Sequence, residues 1–288
     1  MAKLRKSDPR NLIILILAVL VLTETYFLFF AKPKKIPLAA PVKKVAVKEA
    51  KPPKEKPPEK PVPLKGKIAI IIDDWGYNIQ HCELIKNIPD PVTIAVLPKL
   101  PHSKEVAQCA HQNGKEVMLH LPMEPQPREK LEKYPDHYII KTSMRRSEVE
   151  KLIEENLDSV PFAAGVNNHM GSKATEDTRL MTTTFTFLKK KELFFVDSLV
   201  TSNSICRNLA EKMSLPFTQR DIFLDNISER SYIESQFKQL TEEAARKGTA
   251  VGIGHDRALT LEIIAEQIAR WKKEGFQFIT VKDLIKRQ

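Results

Sequence analysis

Lys67-Ile-Ala-Ile-Ile-Ile-Asp73-Asp74 is the stretch on which the fold turns. A short apolar run rich in β-branched residues, with no polar alternation, reads as a strand covered on both faces, the habit of parallel sheets. Two carboxylates break the pattern at its C-terminal end. Comparable runs recur at 92–97, 116–120, 163–166, 193–196, 249–253 and 276–279. Segments of helical period separate most of them, at 103–112, 147–157, 177–190, 229–247 and 260–273, the second expected to open on a capping box from Ser147 to Glu150. Seven strands alternating with helices predict a parallel α/β architecture, open or closed into a barrel. No internal repeat is evident.

The polar residues that interrupt this pattern sit at one end of the strands. Asp73 and Asp74 end the first, His120 the third, Asn167, Asn168 and His169 the fourth, Asp197 and Ser198 the fifth, and His255 the sixth. In parallel α/β folds the carboxyl ends of the strands share a face where ligands and catalytic groups gather. Each residue alone reads as a cap or a satisfied core group. Five strands delivering Asp, Asn and His to one face read as an active site.

The chain of 288 residues carries a formal charge of +10, and that charge has an address. Residues 1–31 hold four basic and two acidic side chains, and residues 32–65 hold eleven lysines and three glutamates. Residues 66–288 therefore balance at 31 basic and 31 acidic groups, which argues against a nucleic-acid-binding domain. Leu12 to Ala31 is about as long and as apolar as a single transmembrane helix. Phe29 and Phe30 stand where a cleaved signal would carry small residues, so 1–31 reads as an uncleaved signal-anchor. Residues 32–65, with nine of the twenty prolines, read as a disordered tether. The expectation is a single-pass protein of the inner (cytoplasmic) membrane whose domain, 66–288, lies outside the cytoplasm. Cys82, Cys109 and Cys206 form no C-x-x-C pair, although a Cys82–Cys109 bridge is open to an oxidising compartment.

Adjacent carboxylates with histidines suggest a divalent metal and an activated water. His120-Leu-Pro-Met-Glu124 places an imidazole and a carboxylate four residues apart on what reads as a proline-bent loop, where both could turn to one ion. No H-E-x-x-H, G-x-S-x-G or P-loop motif occurs. Trp75 is a candidate to stack on a sugar face, with core packing as the alternative. Asp225 and Asn226 could line the same cleft or cap a turn, the structural role being favoured, and His81, His102, His111 and His137 read as solvated.

Ile70-Ile-Ile-Asp-Asp-Trp-Gly76, His120-Leu-Pro-Met-Glu-Pro125, Gly165-Val-Asn-Asn-His-Met-Gly-Ser172, Phe194-Phe-Val-Asp-Ser198, Phe223-Leu-Asp-Asn226 and Gly252-Ile-Gly-His255 resemble, in order, the motif series of the divergent polysaccharide deacetylase family. The resemblance spans nearly all of 66–285. It implies a distorted (β/α) barrel of about seven parallel strands related to metal-dependent polysaccharide deacetylases. It also implies a role on N-acetylated envelope glycans. By the same resemblance Asp73 is the general base, Asp74 and His120 are metal ligands and His255 is the general acid. Glu124 stands where the parent enzymes carry a second metal histidine, and zinc accepts such a carboxylate. Asn167-Asn168-His169 replaces the parent Arg-x-Pro segment, so His169 is a catalytic candidate that either orients Asp73 or joins the metal shell. Asn168, Asp197 and Ser198, with Trp75, are candidate substrate contacts, and Leu199 stands where an arginine is often found. The expected activity is removal of N-acetyl groups from an amino-sugar polysaccharide. The rival expectation is a noncatalytic glycan-binding or envelope-organising module that keeps the cleft.

Overall fold

The computed structural model describes residues 63–127 and 134–286. The expected signal-anchor and nearly all of the tether lie outside the described residues. Among the described residues no helix is long and apolar enough to cross a membrane.

Nine strands and eight helices lie among these residues, alternating except where two short strands follow one another. The strands are β1 (Gly66–Trp75), β2 (Thr93–Val96), β3 (Glu116–Met123), β4 (Ala163–Met170), β5 (Phe194–Asp197), β6 (Phe217–Gln219), β7 (Ile222–Phe223), β8 (Thr249–His255) and β9 (Phe276–Ile279). The helices are α1 (Cys82–Lys86), α2 (Ser103–Gln112), α3 (Arg146–Asp158), α4 (Thr178–Lys190), α5 (Cys206–Met213), α6 (Arg230–Lys247), α7 (Ala258–Lys273) and α8 (Val281–Ile285). All seven expected strands are present. The two additional ones, β6 and β7, are three and two residues long and too short to show a pattern in sequence.

Every ladder is parallel, in the order β6-β5-β4-β3-β2-β1-β8-β7. β9 shares an edge of β1 with β2: it pairs with Gly66 to Ala69, and β2 takes over from Ile71. The end strands β6 and β7 are consecutive in the chain, so the sheet must curl until its ends are only a few residues apart. Among the described residues no ladder joins them, and the architecture is a parallel β/α half-barrel. Arg220 and Asp221 span the gap, the Arg220 N–H donating to the Asp197 carbonyl and the Asp221 N–H to the Val251 carbonyl, each at 2.9 Å.

Strand alternation divides the core in two. Ile68, Ile70 and Ile72 of β1 face the helix layer together with Leu119, Phe195 and Phe237, whereas Ala69 and Ile71 join Ala95, Met118, Phe194, Val196, Val251 and Ile253 inside the barrel. Continuing this period-two pattern upward puts Asp73, His120, Ser198 and His255 at the top of the interior. It also puts Asp197 on the outer side.

Two irregularities adjust that register. Between Ile72↔Ile94 and Trp75↔Val96, β1 carries one residue more than β2, and Asp74 adopts a left-handed φ of 61°. The bulge lets adjacent aspartates serve the same cleft and returns Trp75 to the helix layer, where it is fully buried. The expected sugar-stacking role of Trp75 is therefore wrong. In β4 an extra residue between Ala163 and Val166 shifts the phase, so Ala164 packs inside and Val166 outside, and Asn167 and His169 follow on the inner side.

Helix α3 begins before the expected box. Glu148 accepts from the Arg145 N–H at 2.7 Å and from its guanidinium, so the cap is the Glu148 carboxylate reaching back to Arg145 and not a Ser147/Glu150 box. Cys82 of α1 and Cys109 of α2 form a disulfide.

Candidate active site

The side chains at the top of the interior line a cavity of about 200 Å³, bounded by Asp73, Asp74, His120, Asn168, His169 and His255 with Met170, Ser198, Val200 and Phe223. At its floor three ligand-type atoms form an equilateral triangle. Asp74 Oδ1 is 3.1 Å from His120 Nε2 and 3.1 Å from His169 Nδ1, and the two ring nitrogens are 3.1 Å apart. Ligands bonded tetrahedrally to zinc at about 2.0–2.1 Å stand roughly 3.3 Å from one another, so the spacing suits one small divalent ion.

The hydrogen-bond partner of His120 sets its tautomer. His120 Nδ1 lies 3.0 Å from Asn167 Oδ1, and an amide oxygen only accepts, so Nδ1 carries the proton. Asn167 is fixed in turn by donating through Nδ2 to Ser198 Oγ at 3.3 Å. In the neutral ring, His120 Nε2 then presents a bare lone pair to a carboxylate oxygen and to another imidazole. Such a cluster of lone pairs in a buried floor fits a cation, and the amide behind the histidine is the usual second-layer support. Burial raises the Asp74 pKa, but the two imidazoles beside it, His120 and His169, outweigh burial and hold the group well below the ordinary carboxylate range.

Asp73 and His255 flank the triangle. Asp73 Oδ2 is 3.7 Å from His120 Nε2, and Asp73 Oδ1 is 3.9 Å from His255 Nε2. Asp73 Oδ1 is buried without a hydrogen-bond partner among the described residues. Burial pushes the Asp73 carboxyl up to about 6, against the pull of the three histidines. Burial by itself would lower the His255 pKa. The Asp225 carboxylate, accepting from Nδ1 at 2.7 Å, and the negative charge of Asp73 together raise it to about 9. Asp225 is fully buried and also accepts from the His255 N–H and the Thr260 hydroxyl.

Of the residues expected at the site, the fold brings together Asp73, Asp74, His120, His169 and His255, with Asn168 and Ser198 in the cavity wall. Of the two options for His169, the geometry matches the metal-shell one: its Nδ1 lies 3.1 Å from both Asp74 Oδ1 and His120 Nε2. Glu124 is elsewhere. Residues 120–123 are extended strand and not a bent loop, so four residues span about 13 Å. The Glu124 carboxylate is held by Lys173 Nζ at 2.7 Å and by the N–H and hydroxyl of Thr142, both at 2.7 Å. Asp197 likewise turns away, accepting from the Leu199 N–H and the Ser204 hydroxyl, and so shapes the loop instead of lining the cavity. Asp225 and Asn167 act as orienting groups that a reading of single residues misses; the Phe223-Leu-Asp-Asn226 motif was the available signal. His81 is also not solvated. It is half-buried, with Nδ1 2.6 Å from the buried Asp256.

Residues 70–285 match the family model for divergent polysaccharide deacetylases. Over 205 residues the chain is 34% identical to the uncharacterized protein YibQ of Escherichia coli K12, covering 71% of this chain and 63% of that protein, so it spans less than two thirds of that relative's length. Over 200 residues it is 34% identical to an uncharacterized protein of Haemophilus influenzae Rd, covering 69% of this chain and 70% of that one. The fold is shared with the crystal structure of an uncharacterized protein from Agrobacterium tumefaciens C58, at a TM-score of 0.72 and 19% identity over 76% of this chain and 89% of that one. With the family match running from β1 to the last helix and enclosing every residue of the cavity, the protein belongs to the divergent polysaccharide deacetylase family.

Proposed function

We propose that the protein is a metal-dependent hydrolase that removes N-acetyl groups from an amino-sugar polysaccharide of the cell envelope. The observation that carries this reading is the Asp74–His120–His169 triangle with a buried carboxylate and a charged imidazole on its flanks. Zinc is the proposed ion; held by those three side chains, it would polarise the amide carbonyl and acidify water. Asp73, with no hydrogen-bond donor on Oδ1, is the group placed to take the proton from attacking water. His255, protonated and aimed across the cavity by Asp225, is placed to give a proton to the departing amine. Asn167 keeps the His120 Nε2 lone pair turned to the floor. Asp73 near 6 and His255 near 9 leave both in the required state around neutral pH.

The proposal retains the placement expected of residues 1–65, a membrane anchor and tether that hold the domain outside the cytoplasm. Purified protein loaded with zinc should release acetate from an N-acetylglucosamine oligomer and bind about one ion per chain, and the Asp73→Asn and His255→Ala variants should lose at least about a hundredfold in turnover. Metal binding without acetate release from any N-acetylated glycan would leave the glycan-binding module as the surviving reading.

A further inference from the structure

Arg220, in the two-residue bridge that spans the gap of the half-barrel, is not needed by the proposed chemistry. It is half-buried, and among the described residues its guanidinium makes no ion pair with a carboxylate within 4.0 Å. Burial lowers its pKa, and the two nearby carboxylates that favour its charge are both occupied elsewhere. Asp197 accepts from the Leu199 N–H and the Ser204 hydroxyl, and Asp221 accepts from the Val251 N–H and from Lys247. With no carboxylate in ion-pair contact, the half-buried charge rests on neutral carbonyls and an aromatic face, which leaves it able to meet an anion from outside.

The guanidinium is nonetheless fixed. Nε donates to the Ser198 carbonyl at 2.7 Å, and one terminal nitrogen, Nη2, donates to the Leu199 carbonyl at 2.8 Å. Its plane lies over the Phe223 ring, 3.8 Å from the centroid. Nη1 makes no hydrogen bond among the described residues. Phe223 and Ser198 both line the cavity, and the Phe223 ring stacks near His255 at 6.0 Å between centroids. The guanidinium carbon is therefore no more than about 10 Å from the imidazole of His255. That is the reach of one or two sugar rings.

We infer that Arg220 is a specificity residue that binds a carboxylate carried by the glycan on, or next to, the N-acetylated sugar, so that the preferred substrate is an acidic N-acetylated glycan. The inference rests on the deacetylase reading for the identity of the ligand, and its test separates the two. The probes are chitotetraose, which is neutral, and a peptide-free tetrasaccharide of alternating N-acetylglucosamine and N-acetylmuramic acid, which carries carboxylates. Affinity is measured by titration of the full chain, and acetate release is measured in parallel. The acidic tetramer should bind about tenfold more tightly, as one charge-assisted contact at a partly wet site allows. Arg220→Gln should equalise the two affinities, and Arg220→Lys should keep part of the difference. Equal binding by the unaltered protein, or a loss in Arg220→Gln that is the same for both tetramers, overturns the inference. Because Arg220 also ties the 198–199 backbone, a salt series on the unaltered protein supplies a reading that needs no variant. The preference should shrink between about 0.05 and 0.5 M salt while neutral binding stays level, and a flat preference overturns the inference. Failure to release acetate from either tetramer counts against the deacetylase reading, and the affinity ratio still decides the role of Arg220.

Discussion

At the scale of single residues, the division of labour is between carboxylates that face the cavity floor and carboxylates already consumed by neighbours. Asp74 and Glu124 make the contrast testable. His169→Ala removes one corner of the 3.1 Å triangle and should abolish tight metal binding, whereas Glu124→Gln should leave metal content unchanged. The Glu124 change instead weakens contacts to Lys173 and Thr142, for a loss of about 1–2 kcal/mol in denaturant unfolding. Metal analysis of the two variants decides it, and loss of metal in Glu124→Gln would refute the assignment. Asp225 acts one step back. Because the folded His255 holds its proton more tightly than the ordinary value of 6.5, the protonated imidazole, held by Asp225 with the negative charges of Asp73 and Asp74, stabilises the metal-free protein fully below about pH 6.5 and loses that contribution as pH rises through about 9. The contribution is roughly 3 kcal/mol. Asp225→Asn should bring the His255 titration, followed by NMR on the metal-free protein, back toward or below the ordinary value. A titration still near 9 in that variant would show that Asp225 does not tune the acid.

At the scale of elements, function depends on where strand alternation is kept and where it is broken. The apolar runs and their polar ends were legible because period two and burial on both faces leave a plain mark in sequence. Hence Asp73, His120, His169 and His255 could be placed on one face from the sequence. The bulges at Asp74 and in β4 leave no such mark, since an extra residue is identified only by its partner strand. Sequence alone therefore leaves Trp75 open between the cleft and the helix layer, where it lies, and lets Glu124 pair with His120 as if 120–124 were a bent loop, where the chain is extended strand. Asp197 shows the same limit one residue before Ser198: the end of β5 is legible, but which of two neighbours faces inward depends on the phase of Phe194 and Val196. The ladder between β4 and β5 has its own constraint at Gly165, where an added Cβ would sit 2.3 Å from the Phe194 ring. Gly165→Ala must displace that ring, which belongs to the barrel interior below Asn167 and Ser198, and should cost about 1–3 kcal/mol of unfolding free energy. Because His169 rides two residues beyond Asn167, metal affinity should fall with it. A variant as stable as the parent would mean that β4 and β5 separate easily.

On the scale of the whole molecule, the Asp74–His120–His169 triangle and the covalent staple lie on different parts of the frame. Asp74, His120 and His169 are carried by β1, β3 and β4, linked through β2 in an unbroken parallel ladder. The Cys82–Cys109 disulfide ties α1 to α2 in the helix layer, closing a loop with a sequence separation of 27 that contains β2 but no cavity residue. Its effect should therefore fall on the unfolded chain and not on the cleft. A closed loop of that length stabilises by about 3–4 kcal/mol in the chain-entropy account, which for a domain of this size corresponds to a fall of roughly 10 °C in Tm on reduction. The Cys82→Ala, Cys109→Ala double variant should show the same fall without reductant. Both forms should keep the metal stoichiometry of the parent at temperatures below the transition, because no ligand strand loses a neighbour. Calorimetry with and without reductant, followed by metal analysis of the reduced protein, reads the two effects separately. Loss of metal at a temperature where the reduced fold is intact would show that the staple also holds the β1 turn, through Gly76 and its hydrogen bond from the His102 N–H at 3.0 Å, in the shape that presents Asp74.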